Sequence, residues 1–425
     1  MTRPNRRRIL GGLAGTAALG FGGFPTIAAG GSPKVAVIGG GFGGATTAKY
    51  LRLLDRRLDV TLIEKDASYV TCPFSNLVLA GMRELRQISH SQDPLIQQYG
   101  VRIVRDRALA IDPAARRVKL RNGADMPYDR LVLAPGIDLR FDAVEGYDAA
   151  AAALAPHAWK AGPQTMLLQR QLQAMPDGGL VIIAPPANPF RCPPGPYERA
   201  GLIANYLQRH KPKSKLLILD AKDSFAKQAL FEEGWQRLYP GMIEWLSGST
   251  GGKVSRIDAK TLTLETEFGS RRGAVVNFIP PQRAGAIAGE AGLADKSGWC
   301  PVDPRTLESA LQPNVHILGD AIEAGAMPKS ASSANSQAKI CAAAIVAALA
   351  GEAPEAPSFS STCYSFLAPN YAVSVTGSYR LIGGKIAEVP HSGGVSPLAA
   401  PASRREQEAL FAEGWYSGIT EDSFG

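Results

Sequence analysis

Closely spaced cysteine pairs are missing from this sequence. Its five cysteines, Cys72, Cys192, Cys300, Cys341 and Cys363, are scattered through 425 residues, with no C-x-x-C and no C-x-x-C-H. Structural zinc sites draw thiolates from short-range pairs and c-type haem is attached through C-x-x-C-H, so the sequence offers neither a metal site nor a haem site. Basic blocks interleaved with aromatics are also absent. The formal net charge is +8, but Arg3, Arg6, Arg7 and Arg8 supply half of it. The remainder, spread over so long a chain, is not the footprint of a nucleic-acid binder. Beyond residue 32 no apolar run reaches the roughly 18 residues of a membrane-spanning helix.

The N-terminus is organised for another purpose. Asn5-Arg6-Arg7-Arg8-Ile9-Leu10 opens an uncharged run rich in Gly, Ala and Leu that ends in small residues near Ala28. This is the composition of a twin-arginine export signal, expected in residues 1–30. It predicts a periplasmic protein, exported with its cofactor already loaded. Such a protein can keep a disulfide. With an odd number of cysteines, at least one is employed otherwise.

Residues 35–64 read as strand, glycine loop, helix, strand. Gly39, Gly41 and Gly44 fit G-x-G-x-x-G, and Glu64 follows Gly44 by 20 residues. Two glycines let the backbone turn toward a pyrophosphate, the third allows close helix packing, and the acid accepts from ribose hydroxyls. Lys65 stands beside that acid. Tyr69-Val70-Thr71-Cys72-Pro73-Phe74-Ser75-Asn76 then reads as a polar loop on the cofactor side, placing Cys72 and Asn76 near the ligand. The run ending Leu133-Ala134-Pro135-Gly136 resembles a second flavoprotein signature, with Pro135 where threonine is usual.

A second strand–helix–strand unit starts near residue 179, with a helix expected over 197–209 and a strand ending at Asp220. Its loop is unlike a phosphate loop. Pro185, Pro186, Pro189, Pro193, Pro194 and Pro196 take six of twelve positions, and proline has no N–H to offer a phosphate. A pyridine nucleotide is therefore not expected. Residues 314–321 resemble the late flavin motif whose aspartate, here Asp320, meets the ribityl chain. Cys341, in a helix of small residues, reads as a buried inert thiol. Residues 351–361 have linker composition.

The motifs around the cysteines go further. Arg191-Cys192-Pro193-Pro194-Gly195-Pro196-Tyr197-Glu198-Arg199, Met327-Pro328-Lys329-Ser330, Asn335-Ser336-Gln337-Ala338-Lys339, Thr362-Cys363-Tyr364-Ser365 and Glu413-Gly414-Trp415-Tyr416, with the Cys72 stretch, resemble the flavoprotein subunit of flavocytochrome c sulfide dehydrogenase. The resemblance runs from the export signal to the last residues. It implies an α/β fold with two Rossmann-like domains of the glutathione-reductase type plus a C-terminal interface domain. The expected division is a signal over 1–30, a FAD-binding domain over 33–155 and 274–356, a second Rossmann-like domain over 156–273 and the C-terminal domain over 357–425. FAD bound covalently through its 8α-methyl at Cys72 is implied, as is a redox disulfide between Cys192 and Cys363. Glu198 is implied as proton shuttle and Lys329 as a neighbour of the flavin's pyrimidine edge. The implied reaction oxidises sulfide and passes electrons to a separate cytochrome c subunit. Tyr364, Phe366, Tyr371, Tyr379, Trp415 and Tyr416 are candidates for that contact, with core packing as the other explanation. Two readings stand beside this one: a sulfide:quinone oxidoreductase, for which the charged tail 403–425 is a poor membrane anchor, and a non-catalytic flavin-binding accessory protein.

Overall fold

The computed structural model describes residues 31–425; the expected export signal lies outside the described residues. Within the unit Pro33–Gly425, strand β1 (Lys34–Ile38) is buried at four consecutive apolar positions, the pattern of a parallel strand covered on both faces. Helix α1 (Phe42–Leu54) returns the chain to β2 (Asp59–Ile63). Helix α2 (Ser75–Leu79), β3 (Arg102–Val104) and β4 (Arg130–Leu133) follow. A late strand, β9 (Val315–Ile317), completes a parallel sheet in the order β9-β4-β1-β2-β3. The chain steps from β1 outward to β3 and then reverses to β4. That reversal opens a crevice at the carboxyl ends of β1 and β4, where α/β sheets bind ligands.

The second unit comprises β5 (Leu180–Ala184), α3 (Gly195–His210), β6 (Lys215–Leu219), α4 (Gln228–Leu238), β7 (Ile243–Leu246) and β8 (Val275–Phe278), with sheet order β7-β6-β5-β8. Helix α3 begins two residues earlier than the sequence predicted, at the end of the proline loop. Back against α1 lies α5 (Ala331–Ala350), capped by the Ser330 hydroxyl, which accepts from Ser333 N at 3.1 Å, and stopped by Gly351 at φ +73°. An N-cap hydroxyl and a left-handed glycine are what such a helix needs at its two ends.

Two expectations are corrected. The stretch around Cys72 is not an open loop: a strand at Ser68–Val70 leads through a turn, with Phe74 at φ +68°, into buried α2. Phe74, Leu77 and Val78 pack with Phe366 and Tyr416 in a cluster that closes the turn. The linker reading of 351–361 also fails at its end, because Ser358 already begins β10 (Ser358–Ala368). With β11 (Tyr371–Ile382), paired antiparallel with Cys363 opposite Val375, and α6 (Ala402–Phe424), this segment is woven into the rest. Strand β10 packs on α3 and on α5, while α6 packs on α1 and β11. Lys49 donates to the carbonyl of Gly425 at 2.8 Å, and Asn335 donates to Asp422 at 2.8 Å. Four of the six aromatics considered for partner contact, Phe366, Tyr371, Tyr379 and Tyr416, are buried inside the chain. Core packing accounts for those four; Tyr364 and Trp415 remain partly exposed.

The tightest helix–strand approach is at Gly44, where an added Cβ would lie 1.8 Å from the carbonyl oxygen of Gly39. Gly44→Ala should lower unfolding free energy by about 2 kcal/mol or more by overpacking, whereas Gly289→Ala, which meets nothing within 4 Å, should stay within about 0.5 kcal/mol of the parent. Urea midpoints of the two variants check this.

Candidate active site

A cavity of about 1130 Å³ runs from the glycine loop of α1 to the start of α3. That exceeds the roughly 300–1,000 Å³ usual for small-molecule sites. Its floor is built from β1 and β4. Gly39, at φ +101°, approaches β4 so closely that a Cβ would lie 2.3 Å from the carbonyl oxygen of Ala134. A Cβ on Gly40 would meet Glu64 at 2.8 Å, and one on Gly41 would meet the Tyr69 ring at 3.1 Å. Helix α1 has no side-chain cap and no acid in its first turn, so its leading N–H groups are open to an anion. Glu64, just beyond β2, accepts from Gly40 N at 2.7 Å and Asp66 N at 2.9 Å. The neighbouring Lys65 is exposed and paired with Asp66. Gly136, at φ +64°, turns the chain beyond β4.

Asp320 follows β9 and lines the same cavity. Its Oδ2 lies 3.8 Å from Arg191, while Oδ1 is buried without a hydrogen-bond partner. Burial raises its pKa, with Arg191 and Lys329 opposing. A buried carboxylate oxygen left unpaired calls for a donor, and a ribityl hydroxyl is one. The glycine cradle, the free helix N-terminus, Glu64 and this orphan acceptor together fit flavin adenine dinucleotide.

At the other end the structure gathers three cysteines. Cys72, Cys192 and Cys363 all line the cavity and all are free and partly buried. The Cys72 thiol faces the Trp159 carbonyl at 3.9 Å. Cys192 sits at φ +57°, a strained conformation for a side-chain-bearing residue. It is held there by its N–H to the Lys329 carbonyl and its own carbonyl to Gly195 N, both 2.8 Å. Cys363 comes from β10. Burial holds the Cys192 thiol well above its ordinary pKa, and neighbouring Cys363 and Glu198 push the same way. Cys363 is raised as well by burial, with Lys227 and Ser330 pulling it back.

Glu198, in the first turn of α3 and 9% exposed, accepts from Phe366 N and from Asn76 Nδ2, each at 3.1 Å. Burial raises its pKa against those two hydrogen bonds, which suits a group that must take up and release protons. Asn76 in turn accepts from Arg199 Nε at 2.9 Å. Two expected residues lie off the cavity. Gly44 is beneath the floor as a packing glycine. Lys329 is turned away: its ammonium donates to the Ile322 carbonyl at 2.6 Å and stands 3.7 Å from the centroid of the Trp299 ring. Its backbone carbonyl holds Cys192, and its charge acts on the site only at a distance, through Asp320. Cys300 and Cys341 are fully buried outside the cavity. Sequence reasoning passed over Arg191, though it adjoins Cys192, and Lys227, which no motif marks.

In the second unit the acid that would meet a ribose is engaged by the protein itself. Asp220, which ends β6 as Glu64 follows β2, is wholly buried and accepts from Tyr197, Lys222 and Trp245. Lys222 also donates to the Pro186 carbonyl at 3.0 Å. The acid at the end of β6 is thus already satisfied by protein donors.

Comparison with known proteins bears on this geometry. Family models match residues 165–280, as the central part of the sulfide dehydrogenase [flavocytochrome c] flavoprotein chain, and residues 355–424, as the flavin-binding part of flavocytochrome c sulphide dehydrogenase. A model of pyridine nucleotide-disulphide oxidoreductases matches 33–163. The sulfide dehydrogenase flavoprotein chain of Chlorobaculum thiosulfatiphilum is 62% identical over 48 residues, all of that sequence and 11% of this one. The chain belongs to the family of flavocytochrome c sulfide dehydrogenase flavoprotein chains. The family fold extends to sulfide:quinone oxidoreductases. The mouse mitochondrial enzyme is 24% identical over 308 residues, 68% of this chain and 65% of the mouse protein's length. The crystal structure of the Aquifex aeolicus enzyme aligns with TM-score 0.72 at 20% identity over 92% of both chains.

One wall of the cavity is the segment through Trp159, whose N–H donates to Nδ1 of buried His157 at 2.9 Å. Burial, with Arg199 next, lowers the His157 pKa to about 3 from 6.5. The unfolded chain takes up this proton below 6.5 and the folded one does not, so the stability that neutral His157 supports is present above 6.5 and lost as pH falls toward 3. His157→Gln, which keeps an acceptor but no titrating group, should narrow its stability gap to wild type by about 1.4 kcal/mol per pH unit of acidification in that window. A gap constant with pH in urea titrations would refute it.

Proposed function

We propose that this chain oxidises hydrogen sulfide with FAD and a Cys192–Cys363 redox disulfide, and delivers the electrons to a separate cytochrome c subunit in the periplasm after twin-arginine export. The observation that carries this reading is the convergence of Cys192 and Cys363, from different parts of the fold, on one cavity beside the buried carboxyl of Glu198. FAD supplies a two-electron acceptor that can be emptied one electron at a time. The start of α1 would hold its diphosphate, Glu64 its adenosine ribose, Asp320 its ribityl chain and Cys72 its 8α-methyl as a thioether.

The chain's own residues do the sulfur chemistry. Hydrosulfide attacks one sulfur of the oxidised pair, a persulfide forms there, and the other cysteine leaves as thiolate, the ordinary course of thiol–disulfide exchange. Glu198 takes the proton that hydrogen sulfide sheds in becoming hydrosulfide. The same fold serves sulfide:quinone oxidoreductases, and that acceptor is the second reading. Among the described residues no helix is long and apolar enough to cross a membrane, and α6 carries Arg404, Arg405, Glu406, Glu408, Glu413, Glu421 and Asp422.

Three measurements follow. Cys192→Ser and Cys363→Ser should each slow sulfide-dependent flavin reduction on the order of a hundredfold or more, with the double variant little worse than either single one. In the wild type, turnover should proceed with cytochrome c and not with a soluble quinone; near-parental reduction in either serine variant, or turnover on quinone alone, would overturn the assignment. After acid precipitation, yellow colour should stay with the pellet for wild type and move to the supernatant for Cys72→Ser. Colour in the wild-type supernatant would exclude the thioether.

A further inference from the structure

Lys227 is used by no step above, yet it stands beside the cysteine pair. It precedes α4 at φ +61°, again a left-handed backbone without glycine. Its ammonium donates to Ser365 Oγ at 2.8 Å and reaches the Cys363 carbonyl at 3.5 Å. Both partners belong to β10 and both are neutral, so the positive charge is held at the cysteine strand without being spent on a carboxylate.

Burial lowers the Lys227 pKa, and the negative charges that oppose this and favour the ammonium come from Cys363 on β10, Glu198 on α3, Cys192 in the proline loop and Glu408 on α6. Ser330, the cap of α5, pulls the Cys363 pKa down together with Lys227. Cys192 has the opposite surroundings. Beside it stands Glu198, whose carboxyl offsets the favourable start of α3, since an acid in the first turn answers the helix dipole itself. Arg191 opposes this at Cys192, and Arg199 and Lys227 also act on it, yet burial with Cys363 and Glu198 keeps the Cys192 thiol well above its ordinary pKa. A negative charge is better placed on Cys363 than on Cys192.

We propose that Lys227 is a positioning residue that sets the polarity of the cysteine pair: it holds the Cys363 sulfur as the departing thiolate, so that hydrosulfide attacks Cys192 and the persulfide is left there. The inference deepens the redox-pair reading and rests on it. The step balances within the named groups. HS⁻ and the Cys192–Cys363 disulfide give Cys192–S–SH and the Cys363 thiolate; one S–S bond forms as another breaks, the sulfide sulfur is oxidised, the Cys363 sulfur is reduced, and the proton stays on the terminal sulfur. A leaving thiol of lower pKa departs faster.

The test uses the holoenzyme, reduced under argon, and iodoacetamide as probe, with alkylation of each cysteine followed by peptide mass spectrometry across pH. Cys363 should alkylate at lower pH than Cys192. Lys227→Gln should move the Cys363 profile up by about one pH unit, an about tenfold slower reaction at neutral pH, with Cys192 moved less. Lys227→Arg should restore the Cys363 profile, which a purely structural role would not require. In a second measurement, oxidised wild type is mixed with sulfide and quenched, and the extra sulfur should be found on the Cys192 peptide. An unmoved Cys363 profile in Lys227→Gln, or a persulfide on Cys363, would overturn the proposal. Should Lys227→Gln not fold, the location of the persulfide in wild type decides alone. A persulfide on neither cysteine, with the alkylation order intact, would instead remove the redox pair and the polarity with it.

Discussion

One buried guanidinium ties the cysteine end of the cavity together. Arg199 is 2% exposed and donates to Asn76 Oδ1, Asn277 Oδ1 and the carbonyls of His157 and Ala158. Asn76 passes the connection to Glu198, and Glu198 accepts from the backbone of Phe366 on β10. Five segments that meet nowhere in sequence are thereby fixed to one another: α2 behind Cys72, the wall at Trp159, β8, α3 behind Cys192 and the strand of Cys363. A charge so buried is tolerated when its donors are matched, and removing one of these neutral acceptors leaves a buried donor unsatisfied at a cost of about 1–3 kcal/mol. The network therefore specifies the arrangement more than it stabilises the fold, and the cysteines inherit their placement from it.

The first sheet was plainly legible in the sequence, because its signals are local. Gly39 and Gly44 must be glycine for contacts of about 2 Å that any Cβ would violate, Gly41 faces the Tyr69 ring at 3.1 Å, and Glu64 stands at a spacing set by one strand–helix–strand repeat. Cys192 and Cys363 were found through the motifs around them, since their meeting is tertiary. The limits of that approach show at Lys329 and Lys227. Lys329 sits in a marked motif, but its backbone carbonyl serves the site and its side chain packs on Trp299. Lys227 lies in an unremarkable stretch and reaches the site only because β10 crosses from the C-terminal segment to meet it. The same crossing hid the fate of 357–425, whose small polar residues in 351–361 read as a linker when β10 already begins inside it.

The second unit shows how a nucleotide-binding framework can be kept while its ligand contacts are replaced. The strand–helix–strand remains, and so does an acid at the end of its second strand. That acid, Asp220, is satisfied by Tyr197, Lys222 and Trp245, and the loop that would face phosphate is filled with proline. Proline there removes N–H donors and fixes φ, which gives a stiff loop with Cys192 at its end.

Strand β10 lies on α3 at one side and on α5 at the other, like a strap across two plates. Rotation of one sheet against the other would shear that strap, drag Cys363 off Cys192 and break the hydrogen bond from Phe366 to Glu198. The molecule is thus braced against hinge opening. A displacement of either sheet is therefore felt at Cys363, so the geometry of the thiols is tied to the packing of the whole body and not to one loop.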